Sequence, residues 1–398
     1  MKSIREINVA EKRVMVRVDY NLPMDENLNI TDDNRIVETL PLIKYLLENR
    51  AKIILISHLG RPKGKVVNSM SLKPASIRLA ALLGDGVKVG FADDCIGEDV
   101  VQRVSKLQAG EILMLENLRF HEGEKSCDPD FVKQLASLCD VYVNDAFAVS
   151  HRKEASVTAL PMMVKESTAG FLLEKELKCY QDAVQNPVRP LVAVIGGAKV
   201  SSKLAALENM LNKVDTLIIG GAMANTFLKS QGVDVGGSVV EDDLLETAQK
   251  IIKTAQEKGI QIKLPVDLVF ASKFDKNAEK ISVEVGQSAP QGWLALDIGE
   301  KTSQLFADLI AGAKTVVWNG PMGVFEMDRF CEGTCKVGQA IAESGAFSVV
   351  GGGDTALAAK VCNVQDKVSY ISTGGGAFLH LMEGKDLPGV LALEKVNL

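Results

Sequence analysis

Short apolar runs recur along the chain, separated by polar stretches long enough for a helix, and this alternation predicts strands and helices in turn. In the first half, strands are expected over residues 14–18, 52–57, 111–115 and 141–144. Helices are expected over 32–48, capped by Asp32 or Asp33, and over 72–83. Alternation at this spacing builds βαβ units around a mainly parallel sheet. The pattern changes near residues 168–171. An amphipathic helix over 172–184 runs into the breaker-rich Asn186-Pro187-Val188-Arg189-Pro190. A second series then begins, with strands near 191–195, 216–219, 262–266, 315–317, 348–350 and 368–371. The expected fold is α/β, two doubly wound parallel-sheet domains joined by one helix.

The run 191–195 ends at Gly196-Gly197 and leads into Ala198-Lys199-Val200-Ser201-Ser202-Lys203. A strand, a glycine turn and a helix start present free N–H groups and a positive dipole end to an anion. Lys199 and Lys203 are four apart, so a helix there would place both on one face, within reach of one phosphate chain.

Composition narrows the choice of ligand. A chain of 398 residues and 42.8 kDa suits two or three domains. A net charge of −6 and a pI near 5.5 argue against nucleic acid or an anionic membrane as the partner. No apolar run approaches the ~20 residues of a membrane helix, and residues 1–7 do not read as a secretory signal. The seven cysteines are scattered except Cys331 and Cys335, with no second pair or histidine cluster to complete a zinc site. Reduced thiols in a cytoplasmic protein are expected. Ten of the twelve arginines lie within the first 152 residues, and 25 of the 34 glycines follow residue 190. Arginine captures carboxylate and phosphate bidentately, whereas glycine lets backbone approach a ligand. The two halves therefore read as built for two different anions.

Ligands of open α/β sheets bind outside the carboxyl ends of the strands. In the first half those ends carry Asp19, Asn21, His58, Arg61, Arg119 and Arg152, with Arg35 near by. A lone histidine or arginine at such a place is unremarkable, but four successive strand ends point to a small ligand with several negative charges. In the second half the strand ends meet Gly196-Gly197, Gly220-Gly221, Asn319-Gly320-Pro321, Gly351-Gly352-Gly353-Asp354-Thr355 and Ser372-Thr373-Gly374-Gly375-Gly376. Glycine turns feeding helices make a phosphate cradle, and Asp354 would suit Mg²⁺. The segment Gly60-Arg61-Pro62-Lys63-Gly64-Lys65 is one residue short of P-loop spacing and ends in Val66, and no G-x-G-x-x-G follows a strand.

Several long motifs resemble phosphoglycerate kinase, in order over essentially the whole chain. They are Arg17-Val18-Asp19-Tyr20-Asn21-Leu22-Pro23, Ser57-His58-Leu59-Gly60-Arg61-Pro62, Glu116-Asn117-Leu118-Arg119-Phe120, Gly196 to Lys203, Asn319-Gly320-Pro321-Met322-Gly323-Val324-Phe325-Glu326 and Gly352-Gly353-Asp354-Thr355. The resemblance implies reversible transfer of the acyl phosphate of 1,3-bisphosphoglycerate to Mg-ADP, giving 3-phosphoglycerate and ATP. By that likeness Asp19, Asn21 and Arg35 hold the carboxyl and hydroxyl end of the glycerate. His58, Arg61, Arg119 and Arg152, with Leu59 and Gly60, hold its 3-phosphate. Lys203, Gly352, Gly353, Asp354 and Thr355, with Gly197, Gly220 and Asn319, bind the nucleotide. Asp354 meets Mg²⁺ and Glu326 the ribose. Arg35, Lys199 and the helix start at Gly374, Gly375 and Gly376 stabilise the transferring group.

The resemblance also implies two Rossmann-like domains with a hinge helix and a monomer in the cytoplasm, with small molecules as its partners rather than nucleic acid or a membrane. The expected divisions are a glycerate domain over 1–171, a helix over 172–185, a nucleotide domain over 186–384, and a tail over 385–398 packing back on the first domain. The chain departs from the family pattern at Tyr20, at Lys153-Glu154 where a second histidine is common, at Ala295 and at Phe378. A non-catalytic metabolite sensor would lack Arg35, Lys199 or Asp354, all present here. A dinucleotide-dependent dehydrogenase is disfavoured by the missing glycine fingerprint.

Overall fold

The computed structural model describes residues 2–396. The chain divides into two compact units: unit 1 runs to Leu177 and resumes at Asp386, and unit 2 spans Lys178–Lys385.

Unit 1 holds β1 (Arg13–Arg17), β2 (Lys52–Ile56), β3 (Val89–Ala92), β4 (Ile112–Leu115), β5 (Val141–Asn144) and β6 (Glu166–Ala169). They form one sheet in the order β3-β4-β2-β1-β5-β6, with every pair parallel. The central strands are near-continuous apolar runs, as burial on both faces of a parallel sheet requires. The winding reverses at β1, so the crevice opens outside the carboxyl ends of β1 and β5. The helix expected over 32–48 is two helices, Asn34–Val37 and Leu40–Glu48. Pro41 lies in the first turn of the second, where its missing N–H costs nothing, and so restarts the helix. Asp33, one of the two expected caps, occupies the N-cap position but without a side-chain bond, and the other, Asp32, accepts from Asn34 N through Oδ1 at 2.9 Å. The last helix, Pro388–Val396, packs within unit 1, where Gly389 N donates to the Ser150 carbonyl at 2.9 Å.

Unit 2 holds β7 (Leu191–Ile195), β8 (Thr216–Ile219), β9 (Gln261–Lys263), β10 (Asp267–Ala271), β11 (Lys280–Glu284), β12 (Leu294–Ile298), β13 (Thr315–Asn319), β14 (Phe347–Val350) and β15 (Tyr370–Ile371). Six strands make a parallel sheet ordered β15-β14-β13-β7-β8-β9, wound outward from β7. Three more, β11-β10-β12, make a separate antiparallel sheet that the sequence pattern does not announce. The strand expected over 262–266 is therefore a short β9, with the next apolar residues leading into β10.

The expectation of reduced thiols throughout is overturned. Cys335, on the helix Glu332–Glu343, forms a disulfide with Cys362, which caps the helix Gly353–Val361, whereas its near neighbour Cys331 remains a thiol. Among the described residues, no helix is long and apolar enough to cross a membrane.

Candidate active site

In unit 1 the parallel register delivers polar residues to one edge because each strand runs out of apolar positions at the same level. β1 ends in Arg17, whose side chain is wholly buried and fully employed. Its Nε donates to Ser156 Oγ at 2.9 Å, Nη1 to the Val18 carbonyl, and Nη2 to His58 Nδ1 at 3.1 Å. Beneath it, Glu124 accepts from Ser156 Oγ at 2.5 Å and from Ser156 N at 3.0 Å. Burial pushes the Glu124 carboxyl up to about 7, against the pull of Arg17.

Because the guanidinium donates to Nδ1, the single proton of neutral His58 sits on Nε2. Burial, and then Arg17, Arg119, Arg152 and Arg35, push the imidazole well below its ordinary value. His58 is thus a neutral hydrogen-bond donor ringed by cations. Asp19 lies 3.7 Å from Nδ1, too far for a hydrogen bond, and instead pairs with Arg35. Asn21 Oδ1 accepts from Gly60 N at 2.8 Å, and Asn117 Nδ2 donates to the Leu59 carbonyl at 2.7 Å, so the loop after β2 is pinned from both sides. Arg119 donates from Nη1 to the Gly60 carbonyl at 2.9 Å and from Nη2 to Glu154 Oε1 at 2.7 Å, while Arg152 lies 3.7 Å from the same oxygen. Arg61 is exposed beside them in sequence. Asp19, Arg35, His58, Arg119 and Arg152 thus form one electrostatic cluster of the kind that holds a phosphate and a carboxylate.

In unit 2 some of the glycine turns leave no room for a side chain. A Cβ on Gly196 would meet the Pro321 carbonyl oxygen at 2.0 Å, and one on Gly220 would meet Met322 Sδ at 2.3 Å. The helix starts at Gly353 and Gly375 also converge: a Cβ on Gly375 would stand 3.0 Å from Gly353 N. Gly197 and Gly352 adopt φ of 125° and 98°, conformations natural only to glycine. Asn319 braces the centre, accepting from Gly196 N through its carbonyl at 3.0 Å and donating to the Gly351 carbonyl at 2.9 Å. Thr355 Oγ1 accepts from Gly320 N at 2.7 Å. Phe378, one of the departures, fills the space over Gly351, where a Cβ would meet its Cδ1 at 2.1 Å.

Lys203 reaches into this cradle, where Nζ donates to the Asn319 carbonyl at 3.0 Å and to Asn319 Oδ1. Burial lowers its ammonium to about 8, against the charge of Asp354. The expectation that Lys199 and Lys203 share a helix face fails. The helix is Leu204–Met210, Lys203 is its N-cap, and Lys199 stands exposed in the preceding loop. The residues between Gly197 and Lys203 are spent on bends and turns before the helix starts. Among the described residues, neither Lys199 nor Glu326, which lies in the turn after Phe325, is tied to the cradle by a side-chain hydrogen bond or ion pair.

A model of the phosphoglycerate kinase family matches residues 4–385. The chain belongs to that family. The phosphoglycerate kinase of Desulforapulum autotrophicum is 63% identical over 99% of this chain and 100% of its own. That of Desulfosudis oleivorans is 54% identical over 99% of each. Among solved structures, phosphoglycerate kinase from Coxiella burnetii superposes with a TM-score of 0.91 at 41% identity, covering 99% of both chains. The enzyme from Pyrococcus horikoshii does so with 0.84 at 31%, covering 100% of this chain and 99% of its own. The chain is therefore an enzyme, a glycolytic kinase, with the α/β fold of phosphoglycerate kinase.

Two residues of the kinase's basic cluster have no role that the sequence alone assigns. Arg17 closes an apolar strand, and a charge at the last position of a buried run is the available signal. Glu154 is visible in sequence only as a departure from the family pattern, and it proves to be buried against Arg119.

Proposed function

We propose that this kinase catalyses reversible transfer of the acyl phosphate of 1,3-bisphosphoglycerate to Mg-ADP, giving 3-phosphoglycerate and ATP by direct in-line displacement. The observation that carries this reading is the cradle of unit 2, where glycine turns, Gly196 and Gly220 among them with no room for a Cβ, surround one half-buried lysine, Lys203. That is a site for a polyphosphate. The basic cluster of unit 1 supplies the partner substrate's needs: Arg119, Arg152 and Arg61 for the 3-phosphate, His58 as a neutral donor, and Asp19, Asn21 and Arg35 for the glycerate end.

Phosphoryl transfer asks the protein for positioning and charge stabilisation, with no covalent intermediate. Arg35, Lys199 and the helix start at Gly374, Gly375 and Gly376 stabilise charge on the transferring group. Lys203, Gly197, Gly220, Asn319, Gly352, Gly353 and Thr355 fix the nucleotide, with Glu326 toward its ribose. Asp354, a single exposed carboxylate in the first turn of Gly353–Val361, fits Mg²⁺, which keeps most of its waters and takes one or two carboxylates beside phosphate. When bound it supplies charge neutralisation on the phosphate oxygens. Reaction needs the transferred phosphorus within about 3–3.5 Å of its acceptor and shielded from water. Substrates held by different units must therefore be brought together by a closing movement of a monomeric, cytoplasmic enzyme.

A coupled assay of ATP formation from 1,3-bisphosphoglycerate and ADP tests the reading. ATP formation that requires both substrates and Mg²⁺ is expected; binding of either ligand without turnover would overturn it.

A further inference from the structure

The disulfide between Cys335 and Cys362 lies in unit 2, on the two helices that brace the glycine cradle. The bend after β13 closes one side of that cradle, with the Pro321 carbonyl against Gly196 and the Met322 side chain against Gly220. Two buried threonines hold the backbone N–H groups of this bend. Thr334 Oγ1 accepts from Met322 N at 3.0 Å and from Gly323 N at 3.1 Å, and Thr355 Oγ1 takes Gly320 N. Thr334 is in the first turn of Glu332–Glu343, and Thr355 in the first turn of Gly353–Val361. Cys335 follows Thr334 directly, and Cys362 caps the far end of the helix that begins with Gly353, Asp354 and Thr355. The sulfur bridge therefore ties together the two grips on a single bend.

The same two helices share an apolar core, in which Val337, Ile341, Ala358 and Ala359 are buried in one cluster with Trp318. Opening the bond leaves that core in place and frees only the fine position of one helix against the other. Hydrogen bonds from two helices to one bend depend on that position, because they weaken steeply with distance and angle. Disulfides of cytoplasmic proteins are mostly catalytic or redox-sensing rather than structural. We propose that the Cys335–Cys362 pair is a redox switch on the nucleotide cradle: the bridged form holds the bend in its binding position, and reduction to two thiols weakens the hold on Mg-nucleotide. This rests on reading the cradle as the Mg-nucleotide site.

The partner is a dithiol reductant, either a small molecule or a protein with two neighbouring thiols. Cys335 is half-buried and Cys362 only 6% exposed, so an attacking thiolate meets Cys335 first. The S–S bond breaks, Cys362 leaves as a thiolate and takes a proton, and the reductant's second thiol then displaces Cys335 as a thiol. Two electrons and two protons pass to the pair, and the reductant departs as its own disulfide. Cys331 stands one turn before Cys335, but burial and then the charges of Asp297 and Asp328 hold its thiol up, which makes it a weak nucleophile for exchange within the chain.

Calorimetric titration of the full chain with Mg-ADP, oxidised in air and then reduced with dithiothreitol, tests the proposal, with alkylation and peptide mass confirming each state. The oxidised protein is expected to bind at least about fivefold more tightly. The double variant Cys335→Ser/Cys362→Ser should bind like the reduced parent in both buffers. By reciprocity, saturating Mg-ADP protects the bridge, and a tenfold preference lowers the pair's reduction potential by about 30 mV. Equal affinity in the two states, a double variant that still responds to dithiothreitol, or a potential indifferent to Mg-ADP overturns the switch. So does an oxidised protein in which Cys335 and Cys362 are not bonded to each other. If reduction instead unfolds unit 2, seen as lost helix by circular dichroism, the bond is a structural staple and the proposal falls. Failure to bind Mg-ADP in either state would remove the nucleotide site itself, and the switch with it.

Discussion

Arg35 and Lys203 each have a partner within the protein, Asp19 and Asn319, and each proposed role asks for a second one. Arg35 is paired with Asp19 in the free enzyme and, if it acts on the transferring group, exchanges that partner for a charge that exists only during reaction. Arg35→Ala is therefore expected to lower kcat far more than it weakens ADP binding. One such donor is worth on the order of 3–4 kcal/mol at the transition state, and turnover surviving within a few-fold in steady-state assays would remove it from the mechanism. Lys203 carries a pH signature. Burial holds its ammonium at about 8, so it is charged below that value and loses its proton above it. Nucleotide affinity should fall as pH rises through about 8. Lys203→Met should bind nucleotide roughly ten- to a hundredfold more weakly below that pH and show no such fall, by calorimetry across the range. Arg35 and Lys203 are legible in the sequence only through the motifs around them, since neither closes an apolar run. Arg17 does close one, but its meaning, like that of Glu124, lies in a buried chain through Ser156 that links positions far apart in sequence.

At the scale of elements, close approach and burial decide. Gly196→Ala is expected to push Pro321 and its turn out of the cradle, since the new methyl would lie 2.0 Å from a backbone carbonyl oxygen, which cannot swing aside as a side chain can. Mg-nucleotide binding should be lost while 3-phosphoglycerate still binds; normal nucleotide affinity would contradict the cradle. The helix Phe171–Tyr180 offers a second test. Asp145 Oδ1 accepts from Leu172 N at 2.7 Å and Leu173 N at 3.3 Å, and burial pushes its carboxyl up to about 7. A carboxyl raised in the folded state stabilises fully below its unfolded value of 3.8, and that contribution is lost as pH rises through about 7. A tenfold change in proton affinity between the folded and unfolded chains corresponds to about 1.4 kcal/mol of stability. Urea unfolding should therefore show the parent losing stability between acid and neutral pH relative to Asp145→Asn, and parallel profiles would count against a buried neutral acid.

The parallel strands with continuous apolar runs are readable from sequence, as is the glycine at each turn. β6, Glu-Ser-Thr-Ala, is not, because its pairing with β5 supplies what its composition lacks. β11 alternates but leaves Ile281 half exposed, so neither face announces a core. The turn between Gly197 and Lys203 misleads because helix-forming residues are spent on turns that tertiary contacts impose.

For the whole molecule, chemistry across two units predicts movement. If each unit holds one substrate, small-angle scattering should report a smaller radius of gyration with both ligands than with either alone or neither. An unchanged radius across every ligand state would mean that no closure accompanies binding. The chain crosses from one unit to the other twice, at Leu177–Lys178 and at Lys385–Asp386, so any such movement is shared by two connections. The second crossing has a further consequence, in the protein's birth rather than its action. Pro388–Val396 closes over Ser150 and Val157, the segment that carries Arg152 and Glu154. On the ribosome, unit 1 must wait for about 200 residues of unit 2 before that last helix emerges. At roughly 5–20 residues per second, the wait is on the order of 10–40 seconds. Unit 2, begun second, can finish first; the edge of the first-made unit that carries Arg152 and Glu154 is completed only after the whole of unit 2 has been made.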